Sequence, residues 1–81
     1  MERAEIERLR WRCTRRGMLE VDMVLGRFLE DAFGRLSESE QRAFIELADY
    51  DDMALWRLIS ARDECEDARL ASIVAMLRGC R

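Results

Sequence analysis

Met18-Leu19-Glu20-Val21-Asp22-Met23-Val24-Leu25-Gly26-Arg27-Phe28-Leu29-Glu30-Asp31-Ala32-Phe33 is the stretch that decides the fold. Met18, Val21, Leu25, Phe28, Leu29 and Ala32 recur at steps of three and four, which keeps them on one face of an α-helix. The stripe lasts about four turns, longer than any other amphipathic run in the chain, so it predicts the central helix of a bundle. Gly26 inside it costs up to roughly 1 kcal/mol against alanine. A glycine retained there marks the close approach of a neighbouring helix. Gly34 supplies the stop.

On the N-terminal side, Glu2 to Cys13 reads as a first helix, with Ile6, Leu9 and Cys13 on its apolar face and Trp11 off it. Trp11 beside arginines reads as cation–π cover for its own helix, with a partner hot spot as the alternative. Glu5 with Arg8 and Glu7 with Arg10 are spaced to solvate the surface as i,i+3 pairs. Between the two helices lies Arg15-Arg16-Gly17-Met18-Leu19-Glu20-Val21-Asp22. One reading is a helix–helix corner with Gly17 as C-cap and an internal Arg16–Glu20 ion pair. The other is an exposed docking patch of mixed charge, where a residue without Cβ lets another surface come close. Glu20 and Asp22 suit the positive end of the next helix either way.

On the C-terminal side, Ser37 and Glu40 are spaced as a capping box and open a third helix to about Ala48, with Phe44, Leu47 and Ala48 inward. Asp49-Tyr50-Asp51-Asp52 is an acidic break in which Asp51 or Asp52 caps a fourth helix, about Met53 to Ala61, offering Leu55, Trp56, Leu58 and Ile59. Three carboxylates there lack the spacing and glycine of an EF-hand. Asp63 and Glu66 are the candidates to open a fifth helix, where Leu70, Ile73, Val74 and Leu77 form a stripe ending at Gly79. The expectation is an all-α bundle of about five helices with short connections, residues 1–81 forming a single helical domain.

Composition narrows the function. The 81 residues are 49% hydrophobic and 38% charged, without proline, which excludes a disordered chain. No apolar run approaches the roughly 20 residues that span a bilayer, so no membrane insertion is expected. The alternating Arg and Glu of the first residues fit neither a signal peptide nor an acid-poor transit peptide. Every cation is an arginine, and Arg3, Arg8, Arg10, Arg12, Arg15 and Arg16 crowd the first helix, while the rest is acidic. Interleaved glutamates and a pI near 5.0 break the sustained positive field that phosphate binding needs, so no nucleic acid is expected. Cys13, Cys65 and Cys80 are scattered, with no histidine and no Cys-x-x-Cys, which fits reduced thiols in the cytoplasm rather than a metal site. Without histidine or lysine the usual general bases and Schiff-base nucleophiles are missing, and no glycine-rich phosphate loop is present. An enzyme is not expected; function should lie in binding.

Arg16-Gly17-Met18-Leu19-Glu20 resembles the Arg-Gly-x-x-Glu signature of the flavin-assembly factors of succinate dehydrogenase, called succinate dehydrogenase assembly factor 2 in mitochondria. Arg15, Asp22, Phe28, the Leu36-Ser37-x-x-Glu40 cap, Phe44, Leu47, Asp51-Asp52 and Leu55 extend the likeness, which runs from about Leu9 to Ile59. Met53 stands where bacterial relatives often have proline, and Leu58 where tryptophan is common. The resemblance implies a five-helix protein that binds the flavoprotein subunit of succinate dehydrogenase, and in bacteria of fumarate reductase; a monomer is the separate expectation. The protein promotes covalent FAD attachment to a histidine of that subunit and holds no FAD tightly itself. Carried over by position, Arg16, Gly17 and Glu20 form the partner-binding patch, with Arg15 and Asp22 beside it. The alternatives are an antitoxin-type interaction protein, described for some bacterial relatives, and a nucleic-acid-binding helical module.

Overall fold

The computed structural model describes residues 1–81 and contains five α-helices and one short 3-10 turn, with no strands. They are α1 (Arg3–Cys13), α2 (Leu19–Asp31), α3 (Glu38–Ala48), α4 (Asp52–Ile59) and α5 (Ala68–Arg78), with the 3-10 turn at Phe33–Arg35 between α2 and α3. The all-α expectation holds.

Helix α2 lies at the centre, packed against α1, α4 and α5, while α3 packs mainly on α5. Its buried residues are Val21, Val24, Leu25, Phe28 and Leu29. Val24 belongs to the stripe although the 3/4 count from Met18 passes over it, because three flanking helices widen the covered face. Met18 and Ala32, at the ends, are only partly covered. The core is one cluster of 19 buried residues, all apolar. Phe44 of α3 anchors it, stacked on Phe28 with ring centroids 4.9 Å apart and edge-on to Phe33 at 5.4 Å. Both geometries suit the ring quadrupoles.

Local chemistry explains most helix ends. Ser37 accepts from the Glu40 amide at 3.2 Å, and Glu40 accepts from the Ser37 amide at 2.8 Å, completing the capping box. Asp51 caps α4 by accepting from Ala54 N–H at 2.9 Å. Helix α5 is capped by Asp67, not by Asp63 or Glu66. Asp63 is instead drawn away to Arg57, 3.1 Å distant. Helix α2 stops at Asp31 and Gly34 falls inside the 3-10 turn. After α4 the chain forms a Schellman turn, in which Arg62 N–H donates to Arg57 and Ala61 N–H to Leu58. Its left-handed position is taken by Ala61, at φ +65°. Leu58 joins the core where a tryptophan was the family expectation, and Trp56 lies partly covered against it.

Candidate functional site

Gly17 adopts φ +104°, a conformation open to glycine and strained for any other residue. It does not cap α1 as expected. That helix ends at Cys13 with Thr14 as its C-cap, and Gly17 lies beyond, turning the chain toward Met18 and α2. The turn is held by Asp22, whose carboxylate reaches back to accept the Arg16 amide at 3.2 Å. A Cβ built on Gly17 would meet nothing within 4 Å, so its bare face looks onto open space.

The expected Arg16–Glu20 ion pair is not made. Arg16 turns the other way and is largely covered, its side chain 12% exposed. Its Nε donates to Asp52 Oδ1 at 2.6 Å, its Nη1 to the Ala48 carbonyl and its Nη2 to the Tyr50 carbonyl. The acceptors make physical sense together. Ala48 is the last residue of α3, whose end carbonyls lack helical partners and carry the negative end of the dipole. Asp52 sits in the first turn of α4, where a carboxylate is favoured. A planar fork of donors meets all three acceptors at once, which a lysine could not do.

The remaining expected site residues face solvent. Glu20 is exposed and has no ion-pair partner within the chain. Arg15 is exposed and stacks on Trp11, its guanidinium carbon 3.4 Å from a ring centroid, so the cation–π cover is made. Trp11 nonetheless stays 60% exposed, and Leu19 beside Gly17 is 67% exposed. The structure thus brings Arg15, Gly17 and Glu20 to the surface and sets Arg16 and Asp22 behind them. Pairs expected along α1 are absent too. Glu5 is drawn back to accept the Glu2 amide at 3.1 Å, and Arg12 reaches Asp49 at 2.8 Å.

Sequence reasoning missed Asp52 as the counter-ion of Arg16. The signal was there: only one of two adjacent acids can be the N-cap, so the second was free for another partner. Asp49, Asp51 and Asp52 are accordingly held by Arg12, the Ala54 amide and Arg16 in turn. No three His, Cys, Asp or Glu side chains converge as metal ligands, and no helix is long and apolar enough to cross a membrane. Cys13 is buried, and burial pushes its thiol up to about 11 despite the nearby Arg16 and Arg12 charges, which suits an inert core residue.

Residues 7–81 match the family described as the flavinator of succinate dehydrogenase. The chain belongs to this family. Among relatives, the FAD assembly factor of Legionella pneumophila (strain Lens) is 39% identical over 80 residues, covering 99% of both chains. Its counterpart in Xylella fastidiosa (strain 9a5c), with the same name, is 38% identical over 77 residues, covering 95% of this chain and 78% of that one. The Vibrio cholerae FAD assembly factor is 43% identical over 67 residues, covering 83% of this chain and 77% of the relative. The match to the flavinator family runs past Ile59, where the likeness read from the motifs ends, through α5 to the last residue.

Proposed function

We propose that this chain is a non-catalytic assembly factor that binds the flavoprotein subunit of succinate dehydrogenase, and in bacteria of fumarate reductase. It promotes covalent attachment of FAD to that subunit. The observation that carries this reading is membership of the flavinator family over residues 7–81. The Arg15–Asp22 corner is the docking site, with Arg15, Gly17 and Glu20 presented outward and Arg16 and Asp22 supporting them. Glu20 has no internal partner to give up, so its carboxylate is available to a cationic or amide donor on the partner. Gly17 leaves room for a close backbone approach.

In this reading the factor acts as a monomer in the cytoplasm and binds FAD only through its partner. It favours the flavoprotein conformation in which histidine and isoalloxazine ring can react. A ligand shifts such an equilibrium only by its differential affinity for the two states, so tighter binding to the immature flavoprotein is the required property. The relatives' names favour this reading over an antitoxin or a nucleic-acid-binding module.

The test is to mix the purified chain with the purified flavoprotein subunit, with and without covalently bound FAD. A complex with the unmodified subunit, weaker once FAD is attached, is expected. No complex with either form at micromolar concentration, or retention on DNA with a steep salt dependence, would overturn the assignment.

A further inference from the structure

Every nitrogen of the Arg16 guanidinium has an acceptor, and all three acceptors lie in the corner between α3 and α4. The backbone of the same residue is fixed to Asp22 of α2. Arg16 therefore ties the Gly17 turn to a segment more than thirty positions away in sequence. The neighbouring Arg12–Asp49 bridge also joins the two corners, but both of its side chains are more than half exposed, so it holds them weakly. The Arg16–Asp52 contact is the covered one, at 12% and 26% exposure.

For Arg16 to meet a partner directly it would have to abandon Asp52 and two carbonyls together. A new pairing would only replace what was lost, and would leave the Asp52 carboxylate in partial burial without its counter-charge. We infer that Arg16 serves docking as a positioning residue, acting through Asp52 to fix the Gly17–Glu20 corner against the α3–α4 corner, rather than as a contact residue. This rests on the flavoprotein reading above. It assigns to Asp52 a part in docking, although Asp52 lies outside the Arg-Gly-x-x-Glu motif.

The two roles predict opposite effects at Asp52. If Arg16 touches the partner, removing Asp52 frees the arginine and leaves affinity unchanged or improved. If Arg16 positions the corner, removing Asp52 weakens binding. The experiment measures Kd for the purified flavoprotein subunit with the full chain carrying Arg16→Gln, Arg16→Lys, Asp52→Ala or Arg16→Gln with Asp52→Ala. Each is measured at a temperature where circular dichroism shows it as folded as the parent.

Asp52→Ala and Arg16→Gln are both expected to weaken binding by about tenfold or more, the double variant being no worse than the weaker-binding single. Arg16→Lys should recover only part of the loss, because one ammonium nitrogen does not span the acceptors that the guanidinium meets with three. Unchanged or tighter binding by Asp52→Ala overturns the inference, whatever Arg16→Gln does. So does full affinity in all folded variants with only thermal stability reduced, since that is a purely structural arginine. Should Arg16→Gln fail to fold, Asp52→Ala and Arg16→Lys carry the same test. Failure of the parent chain to bind overturns the flavoprotein reading itself, and the parent control separates that result from the others.

Discussion

The Thr14 methyl group stands 3.3 Å from the place where a Cβ on Gly26 would lie. The hydroxyl of the same threonine donates to the Arg10 carbonyl at 2.8 Å, so the side chain is not free to swing aside. Replacing Gly26 by alanine should therefore forfeit most of the gain of up to about 1 kcal/mol that helix propensity offers. In a Thr14→Ser background, which lacks the methyl, Gly26→Ala should stabilise by close to that amount. Chemical denaturation of the four chains checks this. Equal stabilisation in both backgrounds would contradict the contact.

Gly17 separates strain from access. Its φ of +104° makes any side chain costly, roughly 1–3 kcal/mol, while the open space beside it makes alanine and arginine alike in that cost. Gly17→Ala and Gly17→Arg should thus be destabilised similarly and remain helical. Only the arginine puts bulk where the partner approaches, so Gly17→Arg should abolish flavoprotein binding and Gly17→Ala should retain part of it. Full binding and full flavinylation with Gly17→Arg would remove this corner from the docking site.

Cys13 gives a pH signature. Its thiol ionises near 11 in the fold, against an ordinary value of 9.0, chiefly because it is buried. The raised value means that its contribution to stability is complete below pH 9 and is lost as pH rises toward 11, where the unfolded chain releases the proton first. The stability difference between the parent and Cys13→Ala should shift against the parent across that window and be flat from pH 6 to 8. At pH 8 a thiol reagent should reach Cys65 and Cys80 well before Cys13, which is buried where they are only partly covered. Rapid labelling of Cys13 in the native chain would contradict its placement.

Ala61 holds the left-handed position of the Schellman turn after α4, where an alanine pays for its Cβ. Ala61→Gly should stabilise the chain by about 0.5–1 kcal/mol, the relief of left-handed strain exceeding the added freedom of the unfolded state. A thermal melt shows it as a rise in Tm. A fall would mean that the backbone there is not left-handed.

What the sequence made readable was what neighbours in the chain determine. The stripe from Val21 to Leu29, the Ser37–Glu40 box and the Asp51 cap involve residues within one or two helical turns of each other, and all are present. The Schellman turn at Ala61 escaped notice because alanine gives no sign of positive φ. Arg16 was misread for a different reason. Its acceptors at Ala48, Tyr50 and Asp52 become neighbours only once α1 to α4 have packed, whereas Glu20 lay near in sequence and offered the obvious partner. The outward face of Gly17 and Glu20 was legible, and the internal commitment of Arg16 was not.

The most direct measurement is covalent flavin fluorescence of the flavoprotein subunit, produced in cells with and without this chain and resolved on a denaturing gel. Strong fluorescence is expected in the presence of the chain, little in its absence, and little with Gly17→Arg at equal flavoprotein abundance. Equal covalent flavin with and without the chain would rule out an assembly factor for this flavoprotein.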